Sequence, residues 1–467
     1  MRGQTNQKTI DFTGRRVTIM GLGIAGGAVA DALFFIRAGA TVTVTDMKSE
    51  AELSRSLEQL AGTSVILHLG GHRDEDFSDA DLIVRNPGVP DNSPYLAIAR
   101  EHNVPIEMGS GIFAEYADMS HLIGVTGTKG KSTTTALIHR VLQKKYPDAY
   151  HGGDVDGSPV LFIDSANEGV WGVMELSSWR LEGMAPHEKS PHIAVITSIA
   201  QDHLNRYESY DAYKASKKLI FAFQAKDDIA LLSYDSDYLR ASAGEVPSRL
   251  VWFSGHERPA TDGGEVGCYI ENGIVHYGDE SFAYADLRTK TMHHPGNIAA
   301  VLTVAMLLEI PLADARAAIE DFEGLFGRLQ KVNEVEGIPF YNDTTATNPY
   351  AATQSINAVG KENLALILGG EDKNLDFSEL ASALKDIPFV FVLPGTASDK
   401  LRAAAEAAGI AHLQQVQTLR EAVESAYEAS PRAVLFSPGA ASFNMFKNEF
   451  DRGDQFILEV ERLKNER

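Results

Sequence analysis

The chain has 467 residues, more than a single hydrophobic core usually supports, so we expect two to three domains. Apolar residues make up 44% and charged residues 23%, which is typical of a globular protein and excludes a disordered or collagen-like chain. The 42 Lys and Arg residues stand against 64 Asp and Glu, and the net charge of -22 disfavours a broad nucleic-acid surface.

Cysteine content and hydropathy bear on the compartment. The single cysteine, Cys268, excludes an internal disulfide framework and a Cys-based zinc site, and we interpret it as a structural thiol. Residues 1–13 are polar, and no uninterrupted apolar run has the length of a membrane span. We therefore expect a cytoplasmic protein, a monomer with neither membrane nor nucleic acid as a partner.

The first predicted domain covers residues 1–117. Short β-branched runs at 17–20, 41–44 and 82–84 alternate with helix-like stretches such as 25–38, the βαβ pattern of a Rossmann-like parallel sheet. The glycine-rich segment 21–26 directly follows the first strand, and Asp46 ends the second. This spacing matches a dinucleotide fingerprint, in which glycines let phosphate approach and the acid binds a ribose or base. It predicts a nucleotide-type ligand, with NAD as the less favoured option.

Two further α/β series follow, so we expect three α/β modules in tandem. A central domain over 118–324 is predicted from strands at 122–125, 172–174 and 193–196 and a helix at 297–308, and its polar stretch 254–278 is typical of a loop or small hairpin. A C-terminal Rossmann-like domain over 325–467 is predicted from strands at 364–368, 390–393 and 433–436 and Ala-rich helices such as 398–408.

A phosphate loop is the strongest chemical signal. Gly127-Thr128-Lys129-Gly130-Lys131-Ser132 follows a predicted strand and precedes a predicted helix, so its amides and the positive helix end can face phosphate. Lys131 would hold the β and γ phosphates, and the Ser132 hydroxyl would reach magnesium. The strict Walker spacing requires glycine where Val125 stands, and the nearest glycine is Gly124. A glycine-rich turn with a surface lysine is the alternative.

Three other positions are candidates for the same chemistry. Glu175 ends the 172–174 strand and could bind magnesium, although such a residue is more often a solvated charge. Asp202-His203 follows the 193–196 strand and has the same ambiguity, because an isolated histidine is usually structural. Lys217 lies in a predicted helix, where composition alone favours a solvated face.

Together these residues resemble the Mur ligase family, ATP-dependent enzymes that add amino acids to UDP-N-acetylmuramoyl precursors of peptidoglycan. The resemblance runs from about Val17 to Phe456. The segment 175–181, Glu-Leu-Ser-Ser-Trp-Arg-Leu, is similar to Glu-Leu-Ser-Ser-Phe-Gln-Leu of the D-glutamate-adding members, and segments 342–348 and 437–443 agree. Folylpolyglutamate synthetases share the loop but insert a glycine between the Lys and the Ser, which Lys131-Ser132 lacks.

The resemblance implies an ADP-forming ligase that joins D-glutamate to UDP-N-acetylmuramoyl-L-alanine through an acyl phosphate, in peptidoglycan synthesis. It implies catalytic roles for Lys131, His203 and Lys217, and two Mg²⁺ ions held by Ser132, Glu175, His203 and a carbamylated Lys217. The implied ATP contacts are Gly127, Thr128, Lys129, Gly130, Lys131, Ser132, Thr133, Asn297, Arg328 and Asp343. The implied UDP-substrate contacts are Ile24, Ala25, Asp46, Asn86, Gly88, Asp154, Ser177 and His203. The implied amino-acid contacts are Thr347, Lys373 and Ser442.

Several positions depart from the family pattern. Lys129 and Asp154 each stand where the family typically has Asn, Thr345 replaces a Lys, and Glu449 replaces an aromatic residue that returns one place later as Phe450. Addition of L-glutamate or another amino acid is therefore the close alternative. An NAD-dependent dehydrogenase and a nucleotide-binding regulator without catalysis are alternatives of other classes. We also expect the C-terminal domain to close over the central one, because an acyl phosphate must be kept from water.

Overall fold

A computed structural model describes residues 9–23, 26–153, 157–202, 206–261, 263–287, 293–442 and 445–467. The described residues form three β-sheets, each covered by helices, which confirms the predicted three-part α/β fold. Short 3₁₀ helices are found at Pro159–Phe162, Ala185–His187, Ala243–Glu245, Tyr284–Asp286 and Leu384–Asp386. No helix within these ranges is long and apolar enough to cross a membrane.

The first sheet has five parallel strands in the order β3-β2-β1-β4-β5. The chain order reverses between β1 and β4, and ligands of such sheets bind outside the carboxyl ends of strands at this switch point. Its strands are β1 (Arg16–Met20), β2 (Thr41–Asp46), β3 (Ile66–Leu69), β4 (Leu82–Arg85) and β5 (Ile106–Glu107). Its helices are α1 (Gly27–Arg37), α2 (Ser54–Leu60), α3 (Glu75–Ser78), α4 (Pro94–Glu101) and α5 (Gly109–Tyr116).

The second sheet has nine strands in the order β14-β13-β12-β11-β10-β9-β6-β8-β7. They are β6 (Leu122–Thr126), β7 (Tyr150–Gly153), β8 (Gly172–Glu175), β9 (Ile193–Ile196), β10 (Ile229–Ser233), β11 (Arg249–Ser254), β12 (Glu265–Glu271), β13 (Ile274–Tyr277) and β14 (Glu280–Ala283). The helices are α6 (Lys131–Leu142), α7 (Ile163–Asn167), α8 (Ser178–Met184), α9 (Tyr210–Ala222), α10 (Asp237–Ala241), α11 (Pro295–Leu307) and α12 (Leu312–Glu320). The central strands β6, β8 and β9 are buried throughout, as expected for parallel strands covered on both faces.

The stretch 254–278 is more ordered than a loop. It contains β12, which pairs parallel with β11, and β13, which returns antiparallel and continues into β14. The small hairpin was therefore the correct alternative, enlarged by a third strand. Its glycines serve packing as well as turns: a Cβ at Gly267 would lie 2.5 Å from Thr303 Cγ2 on α11. The glycine-rich composition suggested a loop, but these glycines allow strand β12 to pack closely against helix α11.

The third sheet has six strands in the order β15-β16-β20-β17-β18-β19, all parallel except the β15/β16 pair. The strands are β15 (Gln330–Val335), β16 (Ile338–Asn342), β17 (Leu364–Leu368), β18 (Phe389–Val392), β19 (Leu413–Gln415) and β20 (Ala433–Phe436). The helices are α13 (Pro349–Val359), α14 (Ser378–Ala383), α15 (Thr396–Ala407), α16 (Leu419–Glu428) and α17 (Glu449–Glu466). Asn348 caps α13 and Pro349 occupies its first position, the preferred residues for a helix start.

A buried acid, Asp31, joins the first sheet's helices to the second part of the molecule. It lies on α1 and accepts a hydrogen bond from the Ser158 hydroxyl. A Cβ at Gly109 would lie 2.4 Å from Asp31 Oδ1, so glycine is needed to admit the carboxyl. Burial raises the pKa of Asp31 to about 6, although the Ser158 hydrogen bond and the Arg180 charge both lower it.

The raised pKa of Asp31 predicts a pH-dependent stability. Between the unperturbed value of 3.8 and about 6, the folded carboxyl keeps a proton that the unfolded one releases, so stability falls as pH rises and the loss is complete above about 6. We expect Asp31→Asn to match the wild type near pH ~4 and to exceed it near pH ~8 by at most about 3 kcal/mol. Thermal unfolding at both pH values measures this, with the exposed Asp74→Asn as control. A difference that does not grow with pH would contradict it.

Candidate active site

The phosphate loop connects the carboxyl end of β6 to the start of α6. Gly127 and Gly130 have φ angles of 148° and 91°, which L side chains rarely adopt. A Cβ at Gly127 would lie 2.1 Å from Thr197 Oγ1, and one at Gly130 would lie 2.4 Å from Asn297 Oδ1. Both glycines are therefore required by conformation and by space. Gly124 lies inside β6, where a Cβ would meet Pro191 at 2.7 Å, so it serves strand packing and not the loop.

Buried oxygens surround the start of α6. Lys131 Nζ lies 4.0 Å from Glu175 Oε1 and donates to the Thr128 carbonyl at 3.4 Å. Glu175 lies beside the loop because it ends β8, which pairs directly with β6. Ser132 Oγ and Glu175 Oε2 are buried and have no hydrogen-bond partner among the residues that the structure describes. Buried polar atoms normally have partners, so these two oxygens indicate a place for a ligand.

Lys217 is buried, and the solvated face favoured by composition is wrong. Its residue is 2% exposed, and its Nζ donates to Thr126 Oγ1 at 3.2 Å, at the end of β6. The ammonium also lies 5.3 Å from the Tyr213 ring centroid. The buried residues of α9 follow a helical stripe, Tyr213, Ser216, Lys217, Ile220 and Phe221. That spacing was visible in the sequence and would have placed Lys217 inside.

A cleft of about 600 Å³ separates the second sheet's loops from the third sheet's. Helix α13 and the segment that precedes it form one wall, and the phosphate loop and α11 form the other. Of the residues predicted to bind ATP or the amino acid, the cleft brings together Thr128, Lys129, Gly130, Lys131, Thr133, Asn297, Arg328, Asp343 and Thr347. Residues from two distant parts of the chain therefore meet, as expected for a site that closes between domains.

Asp343 is a buried acid of this cleft. Its Oδ1 accepts from the Leu329 amide at 3.2 Å, and its Oδ2 accepts from Ser355 Oγ at 2.5 Å and Ser437 Oγ at 2.8 Å. Lys129 Nζ approaches Oδ2 from the phosphate loop at 3.4 Å. The protein itself supplies donors to both oxygens, so Asp343 positions the loops that line the cleft.

Sequence reasoning missed two cleft histidines as site residues. His294 accepts a hydrogen bond from the Gly296 amide at 3.1 Å and caps α11, and burial lowers its pKa to about 4. Burial lowers the pKa of His293 to about 4 as well. Both rings are therefore neutral at neutral pH, and the acids Asp235 and Asp237 and the exposed His256 also line this end of the cleft. A histidine cap before Pro295 was the available signal.

The predicted UDP residues of the first sheet lie at its switch point. Asp46 Oδ2 accepts from the Gly23 amide at 3.1 Å and Oδ1 from the Lys48 amide at 2.8 Å, so it orders the glycine loop. Asn86 Oδ1 accepts from the Gly88 amide at 3.0 Å and holds the following turn against that loop. Ser177 caps α8 by accepting from the Arg180 amide. Four predicted residues lie outside the described ranges: Ile24, Ala25, Asp154 and His203.

The predicted amino-acid residues lie on loops of the third sheet. Lys373 Nζ donates to Thr347 Oγ1 at 3.4 Å, and Ser442 Oγ is buried without a hydrogen-bond partner in the described part of the chain. Phe450 does not replace the missing aromatic residue from one position later, because its side chain is 54% exposed and lies 6.2 Å from the Phe326 ring.

Arg452 is a further residue that sequence reasoning missed, and it lies in this region. It is 1% exposed and donates to the Thr344 carbonyl at 2.7 Å, to Thr344 Oγ1 at 3.1 Å and to the Ala440 carbonyl at 3.1 Å. Burial lowers the pKa of Arg452 to about 10, a direction that Glu449 and Asp343 oppose. It ties the segment before Thr345 to the segment before Ser442, and its place in a charged helix concealed this role.

Comparison with known proteins matches all three parts of the chain. Family models described as Mur ligase MurD-like N-terminal domain, Mur ligase middle domain, and Mur ligase glutamate ligase domain match residues 15–108, 125–305 and 327–440. A UDP-N-acetylmuramoylalanine--D-glutamate ligase from Roseiflexus sp. (strain RS-1) is 37% identical over 97% of this chain and 99% of its own. One of the same name from Koribacter versatilis is 32% identical, with the same coverage.

Solved structures show the same fold. Thermotoga maritima UDP-N-acetylmuramate-alanine ligase (MurC) superposes with a TM-score of 0.62 at 20% identity, over 97% of this chain and 100% of that one. MurF ligase from Thermotoga maritima, solved in complex with ADP, gives a TM-score of 0.59 at 16% identity, over 91% and 96% of the two chains.

Proposed function

The chain belongs to the Mur ligase family, and from this premise we propose that it joins D-glutamate to UDP-N-acetylmuramoyl-L-alanine with hydrolysis of ATP to ADP and phosphate. The enzyme is an ATP-dependent amide ligase of peptidoglycan synthesis. The observation that carries the proposal is the pair of buried, unpartnered oxygens of Ser132 and Glu175 beside Lys131. Ser132 lies in the first turn of α6, directly after the glycine-rich loop that opens on the cleft, and Glu175 ends the neighbouring strand β8.

These oxygens fit Mg²⁺, which prefers hard oxygen ligands and takes one or two carboxylates together with phosphate oxygens. Ser132 Oγ and one carboxylate from Glu175 supply that set, and no ready-made cluster of three His, Cys, Asp or Glu residues occurs within the described ranges. When bound, the metal neutralises phosphate charge as the γ-phosphoryl group is transferred. Lys131 Nζ lies 4.0 Å from Glu175 Oε1, so it could bind a phosphate placed beside these oxygens.

The chemistry requires two transfers at one carboxylate. The substrate carboxylate attacks the γ-phosphorus and ADP leaves, giving an acyl phosphate. The amine of the amino acid then attacks the acyl carbon, loses a proton, and phosphate leaves. Lys131 and the amides at the start of α6 stabilise the charge that develops in the first transfer. Thr347 lies across the cleft from the loop and accepts a hydrogen bond from Lys373, and these two residues together with Ser442 would orient the carboxylates of glutamate.

Carbamylation of Lys217 forms part of the proposal. A buried lysine beside Thr126 Oγ1 has lost most of its hydration, which favours the neutral amine that adds to carbon dioxide. The product is a carbamate anion with two oxygens, and a proton is released. With His203, these oxygens would complete the environment of a second Mg²⁺. The change converts a cation that would repel metal into a ligand.

The division of labour among the three parts is also proposed. Residues 1–117 would bind the UDP moiety through Ile24, Ala25, Asp46, Asn86 and Gly88, with Asp154, Ser177 and His203 contributing from residues 118–324. The central part binds ATP, and residues 325–467 bind the amino acid. We propose that the enzyme is a monomer and that it acts in the cytoplasm, where its small-molecule substrates are found.

An amino-acid panel tests the reaction. Phosphate release is measured with ATP, Mg²⁺ and UDP-N-acetylmuramoyl-L-alanine in the presence of D-glutamate, L-glutamate, glycine or L-lysine, and without amino acid. We expect turnover with D-glutamate alone. Thr345 and Glu449 depart from the family pocket, and they favour a different amino acid as the second candidate. No phosphate release with D-glutamate, together with turnover with another member of the panel, would establish that candidate and refute the first.

A further inference from the structure

Lys129 contacts the C-terminal part of the molecule from inside the phosphate loop. Its backbone is held on the central side, where the amide donates to Ser198 Oγ at 2.9 Å and the carbonyl accepts from Thr197 Oγ1 at 2.6 Å. Its side chain crosses the cleft to α13, where Nζ donates to the Ala351 carbonyl at 2.5 Å and to Ser355 Oγ. One loop residue is thus anchored on both walls of the cleft.

The two lysines of the loop point to different partners. Lys131 is directed toward Glu175, whereas Lys129 meets three oxygens of the C-terminal part, those of Ala351, Ser355 and Asp343. A lysine ammonium has three N–H donors and no more. All three are therefore engaged across the cleft, and none is directed at the place where phosphate binds. Lys129 acts in this arrangement as a bridge between domains and not as a phosphate ligand.

A second contact lies beside this bridge. Asn348 Nδ2 donates to Asp202 Oδ2 at 2.8 Å, and both residues are buried. The same Asn348 caps α13, whose first two turns carry Ala351 and Ser355. The N-terminal half of α13 is therefore held to the central part at two points. At one, the neutral Asn348 amide donates to the Asp202 carboxylate, and at the other the Lys129 ammonium donates to three oxygens. The Lys129 side chain is 25% exposed, so its contact can be screened by salt.

We propose that Lys129 is a positioning residue that holds the C-terminal domain against the phosphate loop before ATP binds. The family's typical Asn at this position is too short to reach Ala351 and Ser355, so this contact depends on the lysine that stands here. The bridge presents Lys373, Thr347 and Ser442 to the central part in advance of the reaction. The catalytic consequence rests on the proposed function, whereas the closed arrangement does not.

Small-angle X-ray scattering of the full chain without ligands tests the bridge. The variants are Lys129→Asn and, as a matched control, the exposed Lys144→Asn. We expect a larger radius of gyration for Lys129→Asn only, and an expansion of the wild type, but not of that variant, when salt is raised from ~0.05 M to ~1 M. Unchanged scattering of Lys129→Asn in a protein that melts like the wild type would overturn the proposal. Ser355→Ala, which removes one acceptor, must shift the scattering in the same direction.

Ligand binding separates the bridge from a phosphate contact. We expect the KM of the amino acid to rise about ten-fold in Lys129→Asn and the Kd of ATP to change by less than about two-fold, because the proposed amino-acid contacts all lie on the C-terminal domain whereas most of the proposed ATP contacts lie on the central one. A ten-fold loss of ATP affinity with unchanged scattering would make Lys129 a phosphate ligand and refute the proposal. An enzyme inactive with every amino acid would refute the proposed function and leave the scattering result to decide the bridge.

Discussion

Lys131→Met is expected to lower kcat by about 1,000-fold, equivalent to about 4 kcal/mol of transition-state stabilisation, with no loss of folding. Methionine is an unbranched side chain one atom shorter than lysine, so it keeps most of the volume and removes the charge together with the N–H donors. Lys131 Nζ lies 3.4 Å from the Thr128 carbonyl and 4.0 Å from Glu175 Oε1, so this ammonium lies beside both the loop and the expected metal ligand. Without it, the charge that develops on the transferred phosphoryl group loses the loop cation that would stabilise it.

Initial rates of ADP formation at saturating substrates measure the effect of Lys131→Met. Lys144→Met is the matched control, because it removes an exposed lysine just beyond the same helix. The melting temperature of both variants should stay close to that of the wild type, since Lys131 is not part of a hydrophobic cluster. A reduction of less than about ten-fold would show that phosphate is bound elsewhere and would move the active site away from this loop.

The parallel core of the fold followed from local pattern. Strands predicted at 193–196, 364–368 and 433–436 coincide with β9, β17 and β20, because buried apolar runs flanked by polar turns have few other interpretations. The helix predicted from 297 begins two residues earlier, because Pro295 takes the first helical position and His294 caps it. The strands between residues 265 and 283 were partly missed because their glycines suggested turns. In the structure, these glycines allow close packing against α11.

The candidate site also contains both residues that local sequence pattern identifies and residues that it does not. The phosphate loop is a contiguous motif, so spacing alone identified it. Lys129 and Asp343 are 214 positions apart, and no local pattern could pair them. Arg452 meets Thr344 from 108 positions away in an otherwise charged helix, with the same result. Such contacts depend on how whole domains pack, and the periodicity of a sequence carries no information about that packing. The burial of Lys217, in contrast, follows a helical stripe of buried residues that could have been recognised in the sequence.

Lys217→Ala is the second change with a large expected effect. We expect kcat to fall about 1,000-fold, because the variant removes the proposed carbamate and with it the ligand of a second metal. Adding acetate or formate at tens of millimolar should restore activity by about ten-fold or more, since the truncation leaves room beside Thr126 for a small carboxylate. Lys217→Met removes the amine but keeps the volume, so its activity should be equally low and should not respond to carboxylates.

The rescue distinguishes a metal ligand from a residue that merely supports the fold. Lys217 lies in a buried stripe with Tyr213 and Ile220, so truncation to alanine also costs stability, on the order of 2 kcal/mol for a cavity of this kind. Loss of activity through misfolding would lower the melting temperature and would not be reversed by a carboxylate. Lys214→Ala, one turn away on the more exposed face of α9, is the matched control and should retain activity. The added acid supplies only carboxylate oxygens, which are the feature that the carbamate would provide. Absence of rescue in a folded Lys217→Ala protein would therefore refute carbamylation.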